Sequence, residues 1–258
     1  LGYLIGGSAA DAQVGDAAPA MLAAMLIFLL AFVIISLTKI PEPHIETAEQ
    51  RAAEKANKDQ YSPLSFRHFV LGAIAIFFYV GVEVGIPNIA NLYMSNLDWV
   101  GPTVAGTLVG FYWFLMMCGR LVGGAVGGKV SSKAMLSTVC TVAIVFVLAI
   151  MFIPETVKVT VPIANVEVPL SMMFMFLCGL CTSVMWGAIF NLAVEGLGKY
   201  TSIASGLFMV MVCGGGILPF IQGAVADLVG YISSYWVAIA GLAYMLWFAV
   251  SGSKVKKA

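Results

Sequence analysis

The chain has 258 residues, of which 61% are hydrophobic and 10% charged; mean hydropathy is +0.98 and the formal net charge is +0. Soluble domains carry roughly 25% charged residues, so this composition excludes a water-soluble globular domain and predicts an all-α, polytopic transmembrane helical bundle. A neutral chain has no electrostatic footprint for nucleic acid, so the expected surroundings are a lipid bilayer and no nucleic acid.

Segments long enough to cross a hydrocarbon core need about 20 apolar residues, and about seven such spans are expected. They fall at 19–40, 68–94, 102–127, 134–153, 169–195, 200–226 and 230–250. "LGYLIG", residues 1–6, is read as the tail of an earlier span, and the start at Leu1 as a cut through a longer protein. Residues 41–67, "PEPHIETAEQRAAEKANKDQYSPLSFR", interrupt the apolar pattern with charge and proline. They are expected to be a solvated linker, with room for a short surface helix over 45–58. The expected domains are therefore 1–40, the linker 41–67, and a six-helix unit over 68–258. "VKVTVPIANVEV", 157–168, alternates and predicts a short hairpin or extended loop.

Putting the linker in the cytoplasm places every Lys and Arg except Lys158 inside or at the inner membrane edge. That asymmetry is the positive-inside pattern, and it predicts a multi-pass plasma membrane protein with linker and C-terminus cytoplasmic. The cysteines, including the pair in "CGLC" (Cys178 and Cys181), sit in apolar runs and read as packing residues.

The residues that are expensive to place in lipid come next. "FFYVGVEVGIPNIANLY", 77–93, carries Glu83 in the middle of an apolar segment. A charge at a helix centre costs about 2.5–3.5 kcal/mol on insertion scales, so Glu83 is expected to face the bundle interior or a water-filled path. It lies roughly 22 Å from the inner end of its helix at about 1.5 Å per residue. By the same measure Arg120 is expected to lie too close to the inner edge to pair with it. Glu83 is the candidate for binding a proton or a polar ligand. Asn88 and Asn91 follow on the same helix, and Pro87, just before them, is expected to kink it.

Two later spans repeat this mixture. In "TSVMWGAIFNLAVEG", Trp186 and Asn191 are expected to be buried at mid-to-inner depth. In "GGGILPFIQGAVAD", Gly215 and Pro219 mark a bendable point and Gln222 supplies an amide. Tyr112 and Trp113 add aromatic faces; aromatic faces with amides suit a sugar and suit a hydrophobic core equally. "GRLVGGAVGGK" sets Gly119, Gly123 and Gly127 in one small-residue row and Gly124 and Gly128 in another, which predicts close helix approach. No HExxH, GxSxG or phosphate-binding loop is present, so no enzyme, cofactor or metal is expected.

"GAIAIFFYVGVEVGIPNIANLY", "GRLVGG" and "ASGLFMVMVCGGGILPFIQGAVAD" resemble the second half of the fucose permease and glucose/galactose transporter family, within the major facilitator superfamily. The resemblance runs over about 65–250. It implies two six-helix halves joined by a long cytoplasmic loop, of which this chain would hold the last span of the first half and all of the second. It also implies a sugar of fucose, glucose or galactose type and a proton as partners, moved by alternating access in a bacterial inner membrane. The substrate-binding candidates are then Glu83, Asn88, Asn91, Trp113, Trp186, Asn191 and Gln222. Pro87, Gly123, Gly127, Gly215 and Pro219 are the hinge and packing candidates. A seven-span receptor and a structural membrane subunit are the competing readings; a retinal protein would need a buried lysine in the last span, and 230–250 has none.

Overall fold

The computed structural model describes residues 18–38, 62–161 and 166–255. The expected linker helix at 45–58, the segment 1–6 and the hairpin tip at 162–165 lie outside the described residues. The chain divides into two units, 1–60 and 61–258.

In the first unit α1, Ala18–Leu37, is one 20-residue apolar helix. Nearly all its described side chains are exposed within the unit. An apolar helix with no polar face is stable only in lipid or inside a larger bundle.

The second unit opens with a reciprocal cap. The Ser62 hydroxyl accepts from the Leu64 amide, and the Ser65 hydroxyl accepts from the Ser62 amide. A single 3₁₀ turn, Pro63–Ser65, then leads into α2, Arg67–Ser95. At about 1.5 Å per residue α2 is roughly 43 Å long, well beyond the ~30 Å hydrocarbon core. The helix continues unbroken through Pro87. Gly101, at φ 74°, makes the left-handed turn into α3, Gly101–Val126. The Ser131 hydroxyl caps α4, Ser132–Phe152, by accepting from the Ala134 amide at 3.3 Å.

The alternating segment forms the expected hairpin. Strands β1, Lys158–Val161, and β2, Val166–Pro169, pair antiparallel with Thr160 opposite Glu167. Lys158 reaches Glu167 at 3.9 Å and lies over the Trp99 ring at 4.2 Å. The next crossing is made in two pieces, α5 (Ser171–Thr182) and α6 (Met185–Val194). So is the one after it: α7 (Thr201–Val210), a 3₁₀ turn at Met211–Cys213, and α8 (Gly214–Val229). Gly230, at φ 91°, ends α8. The last helix is α9, Tyr235–Trp247, which widens into a π turn over Phe248–Gly252. Among the described residues of this unit, six crossings are long and apolar enough to span a membrane, as expected for 68–250.

α2 is the axle of this unit and packs against α3, α5, α6, α8 and α9. Between helices in lipid there is little hydrophobic drive, so close approach through small residues matters most. Gly81 lies under Leu218, Gly85 under Gln222 and Gly215 under Val80, and a Cβ at Gly214 would land on the Phe77 carbonyl. Gly215 is therefore a packing residue against α2. On α3 the two glycine rows differ: Gly119 and Gly123 face Ser183 and Val184, whereas Gly124 and Gly128 face open space. The expected close approach holds only for the first row. There Gly127 touches the Gly123 carbonyl of its own helix rather than a neighbouring helix.

Candidate functional site

Glu83 sits inside the bundle, 9% exposed, at the middle of α2. The Tyr79 hydroxyl donates to its Oε1 at 2.7 Å, and Arg120 Nη2 donates to the same oxygen at 2.9 Å. Tyr79 is one helical turn earlier on α2, so the i, i+4 geometry brings phenol and carboxylate together. The Arg120 side chain is 57% exposed and that of Glu83 only 12%. The pair is thus rooted in the core and open at its cationic end.

This corrects the expectation that Arg120 would be a poor partner. α2 is longer than the hydrocarbon core, so depth counted from its end overstates the distance between the two groups. An arginine stem also lies along apolar surface while its head travels to a polar partner. Axial counting leaves out both effects.

A second polar knot lies beside the first. The Tyr112 hydroxyl, fully buried on α3, donates to the Glu83 backbone carbonyl at 3.0 Å and lies 3.2 Å from Thr182 Oγ1. Thr182 also donates to the Gly179 carbonyl, and Ser183 donates to the Leu180 carbonyl, where α5 gives way to α6. A row of aromatic rings continues from Tyr79 within the bundle. Trp186 stands edge-on to it with centroids 6.0 Å apart, and Phe208 stands edge-on to Trp186 at 5.9 Å.

Arg120 also lines a cavity of about 250 Å³ between α3, α4 and α6. Gly123, Gly124 and Gly127 form one wall, and Ser132, Ser183 and Asn191 supply polar groups. Small residues on the α3 wall are what leave this space open, so Gly123 shapes a cavity as well as a contact with Val184, and Gly127 shapes the cavity alone.

The sequence candidates divide. Glu83 and Trp186 meet through Tyr79. Trp113, 43% exposed, stands edge-on to Tyr112 at 5.2 Å. Asn191 is exposed, contrary to the expected burial, and its Nδ2 donates to Ser132 Oγ at 3.4 Å. It stands at the C-terminal end of α6, where the chain leaves the bundle, so the polar cavity rim takes the place of helix packing. Asn88 is exposed and lies about 140° round α2 from Glu83. Asn91 is half-buried and its Oδ1 has no hydrogen-bond partner among the described residues. Gln222 is 2% exposed and its Nε2 is likewise unpaired among them. Buried amide atoms without partners are rare in folded proteins, which marks these two as hydrogen-bonding capacity free for another group.

Sequence reading missed Tyr79, Thr182 and the Glu83–Arg120 pair, and it marked Tyr112 only as an aromatic face, not as a partner of Glu83. The signal for Tyr79 was its place four residues before the only acid in the segment 77–93. Tyr112 and Thr182 come from other helices, and one sequence carries no mark of that pairing.

Comparisons with known proteins agree with this architecture. The family model described as Major Facilitator Superfamily matches residues 1–218. A glucose/galactose transporter of Brucella abortus biovar 1 (strain 9-941) is 34% identical over 260 residues, covering 97% of this chain and 58% of the relative. A putative glucose/galactose transporter of Helicobacter pylori (strain ATCC 700392 / 26695) is 29% identical over 231 residues, covering 88% and 52%. The chain thus spans about half the length of the curated relatives it matches. Among solved structures, the fucose:proton symporter of E. coli superposes with TM-score 0.70 at 20% identity, covering 91% of this chain and 54% of that one. A second structure of the same transporter, FucP, in the outward conformation gives TM-score 0.68, also at 20% identity, with the same coverage of 91% and 54%. The structural likeness bears on the fold, and the family model covers most of the sequence. The chain belongs to the major facilitator superfamily.

Proposed function

We propose that this chain forms about half of a sugar carrier of a bacterial inner membrane. It would work with a further N-terminal helical half of the kind that fills the rest of its relatives' length. The solute is a sugar of glucose, galactose or fucose type, moved together with a proton by alternating access. The linker and C-terminus face the cytoplasm in this reading.

The observation that carries it is the Glu83–Tyr79–Arg120 cluster at mid-span, with its arginine open to a cavity. An acid held in lipid only for structure would gain nothing from an exposed partner. An acid that must take up and release a proton needs a water-accessible path and a counter-charge that holds it when ionised. The half-exposed Trp113 and the unpaired amides of Asn91 and Gln222 provide an aromatic face and hydrogen-bonding capacity for hydroxyls. The relatives' names supply the sugar class.

Uptake of radiolabelled glucose, galactose and fucose in transport-deficient cells tests the proposal, comparing the wild-type full-length carrier with Glu83→Gln from about pH 6 to 8. The variant is expected to lose at least about tenfold in uptake, the cost of about 1.4 kcal/mol of lost coupling, and to lose its pH dependence. Unchanged uptake and pH response would assign Glu83 a structural role and favour a membrane subunit without transport.

A further inference from the structure

Three tyrosines donate their hydroxyls to backbone carbonyls of α2: Tyr112 to Glu83, Tyr235 to Ile86 and Tyr244 to Leu71. The bonds look alike, yet one differs in kind. In an α-helix the carbonyl of residue i accepts from the amide of residue i+4. For Leu71 that residue is Ala75, and for Ile86 it is Ala90; both carry an N–H. For Glu83 it is Pro87, which has none, and whose ring crowds the same carbonyl. Tyr235 and Tyr244 therefore add a bond to carbonyls the helix can already satisfy. Tyr112 supplies one that the helix cannot.

We propose that Tyr112 is a positioning residue for Glu83: its hydroxyl stands in for the amide missing at Pro87 and fixes the acid in register with α3. The site is fully buried at Tyr112, so bulk water does not serve this carbonyl instead. The same helix, α3, carries Arg120, which binds the Glu83 carboxylate. One residue of α2 is thus held by α3 at both its backbone and its side chain. Moving α3 against α2 breaks the two bonds together, so the charge state of the acid and the register of the two helices are linked. Thr182 on α5 adjoins the Tyr112 oxygen and ties a third helix to the same point. This inference rests on the reading of Glu83 as the acid of the transport site.

The test is a double-mutant cycle in the full-length carrier, with Tyr112→Phe, Pro87→Ala and the pair, and Tyr235→Phe as control. Two readouts are taken: initial uptake against pH, and thermal midpoint in detergent. Tyr112→Phe is expected to cut uptake about tenfold and to shift its pH profile, since a buried acceptor is left unsatisfied. Pro87→Ala returns an amide to the Glu83 carbonyl, so on that background Tyr112→Phe is expected to cost less than about twofold. The drop in thermal midpoint is expected to shrink in the same way. Tyr235→Phe is expected to behave alike on both backgrounds. An equal cost of Tyr112→Phe with and without the Pro87→Ala change, or no cost while Pro87 is present, would overturn the inference. If Pro87→Ala alone abolishes uptake, the thermal comparison decides by the same criterion. If Glu83→Gln leaves uptake intact while the thermal coupling persists, the transport reading fails and the backbone bond stands; a pH profile unmoved by Tyr112→Phe would then remove its positioning role.

Discussion

Helices α2 and α4 differ in a way that separates being in a membrane from being inside a bundle. α4 has the higher mean hydropathy, 2.6 against 2.2, yet 28% of its spanning window is buried by protein against 56% for α2. In water the more apolar helix would be the more hidden one. In lipid it need not be, because acyl chains are as apolar as leucine and burial follows from the number of neighbours. α2 is flanked by α3, α5, α6, α8 and α9 and carries glycines where neighbours approach. α3 is more open still at 17%, and it is the helix that lends Arg120 to the centre. The polar site therefore lies on a seam between the most enclosed helix of the unit and one with an open face.

This contrast can be broken most severely where α8 meets α2. Gly214→Val forces a side chain into the Phe77 carbonyl, and overpacking against backbone is expected to cost more than about 3 kcal/mol. Loss of a monodisperse peak in detergent chromatography would show it; a normally folded variant would mean that α2 and α8 can move apart. At the seam, Arg120→Ala strips Glu83 of its counter-charge. The expected loss is about 2 kcal/mol, less than the ~3–5 for a fully buried pair, because the arginine is half in solvent. A lower melting midpoint in Arg120→Ala, partly restored by adding Glu83→Gln, checks that assignment; additive drops in the midpoint would contradict it. At the open face, Gly124→Ala meets no neighbour and is expected to gain up to about 0.5 kcal/mol from helix propensity. A destabilised Gly124→Ala would mean that something packs there.

The crossings were legible because length and apolarity are one-dimensional properties of a run. The expected spans at 68–94 and 102–127 differ by a residue from Arg67–Ser95 and Gly101–Val126. The internal breaks at Ser183–Val184 and Met211–Cys213 were less visible; only the triple glycine after Cys213 announced one of them. Glu83 could be singled out because an acid amid apolar residues is anomalous wherever it sits. Its partners could not, because choosing Arg120 and Tyr112 depends on the tilt and rotation of α3 about α2. Asn191 was misplaced for the same reason: composition gave its span, but its position at the helix end left it open beside Ser132.

The edge-on contact between Tyr79 and Trp186 has an optical consequence. Trp99, Trp113, Trp236 and Trp247 are each more than 40% exposed, whereas Trp186 is partly buried and one ring away from the acid. Its indole shares a wall with the phenol that hydrogen-bonds the carboxylate. Any event that redistributes charge at that oxygen alters the field across a fluorophore already built into the fold. The molecule thus carries its own spectroscopic probe of the membrane-embedded acid, readable without a label once the exposed tryptophans are replaced by phenylalanine.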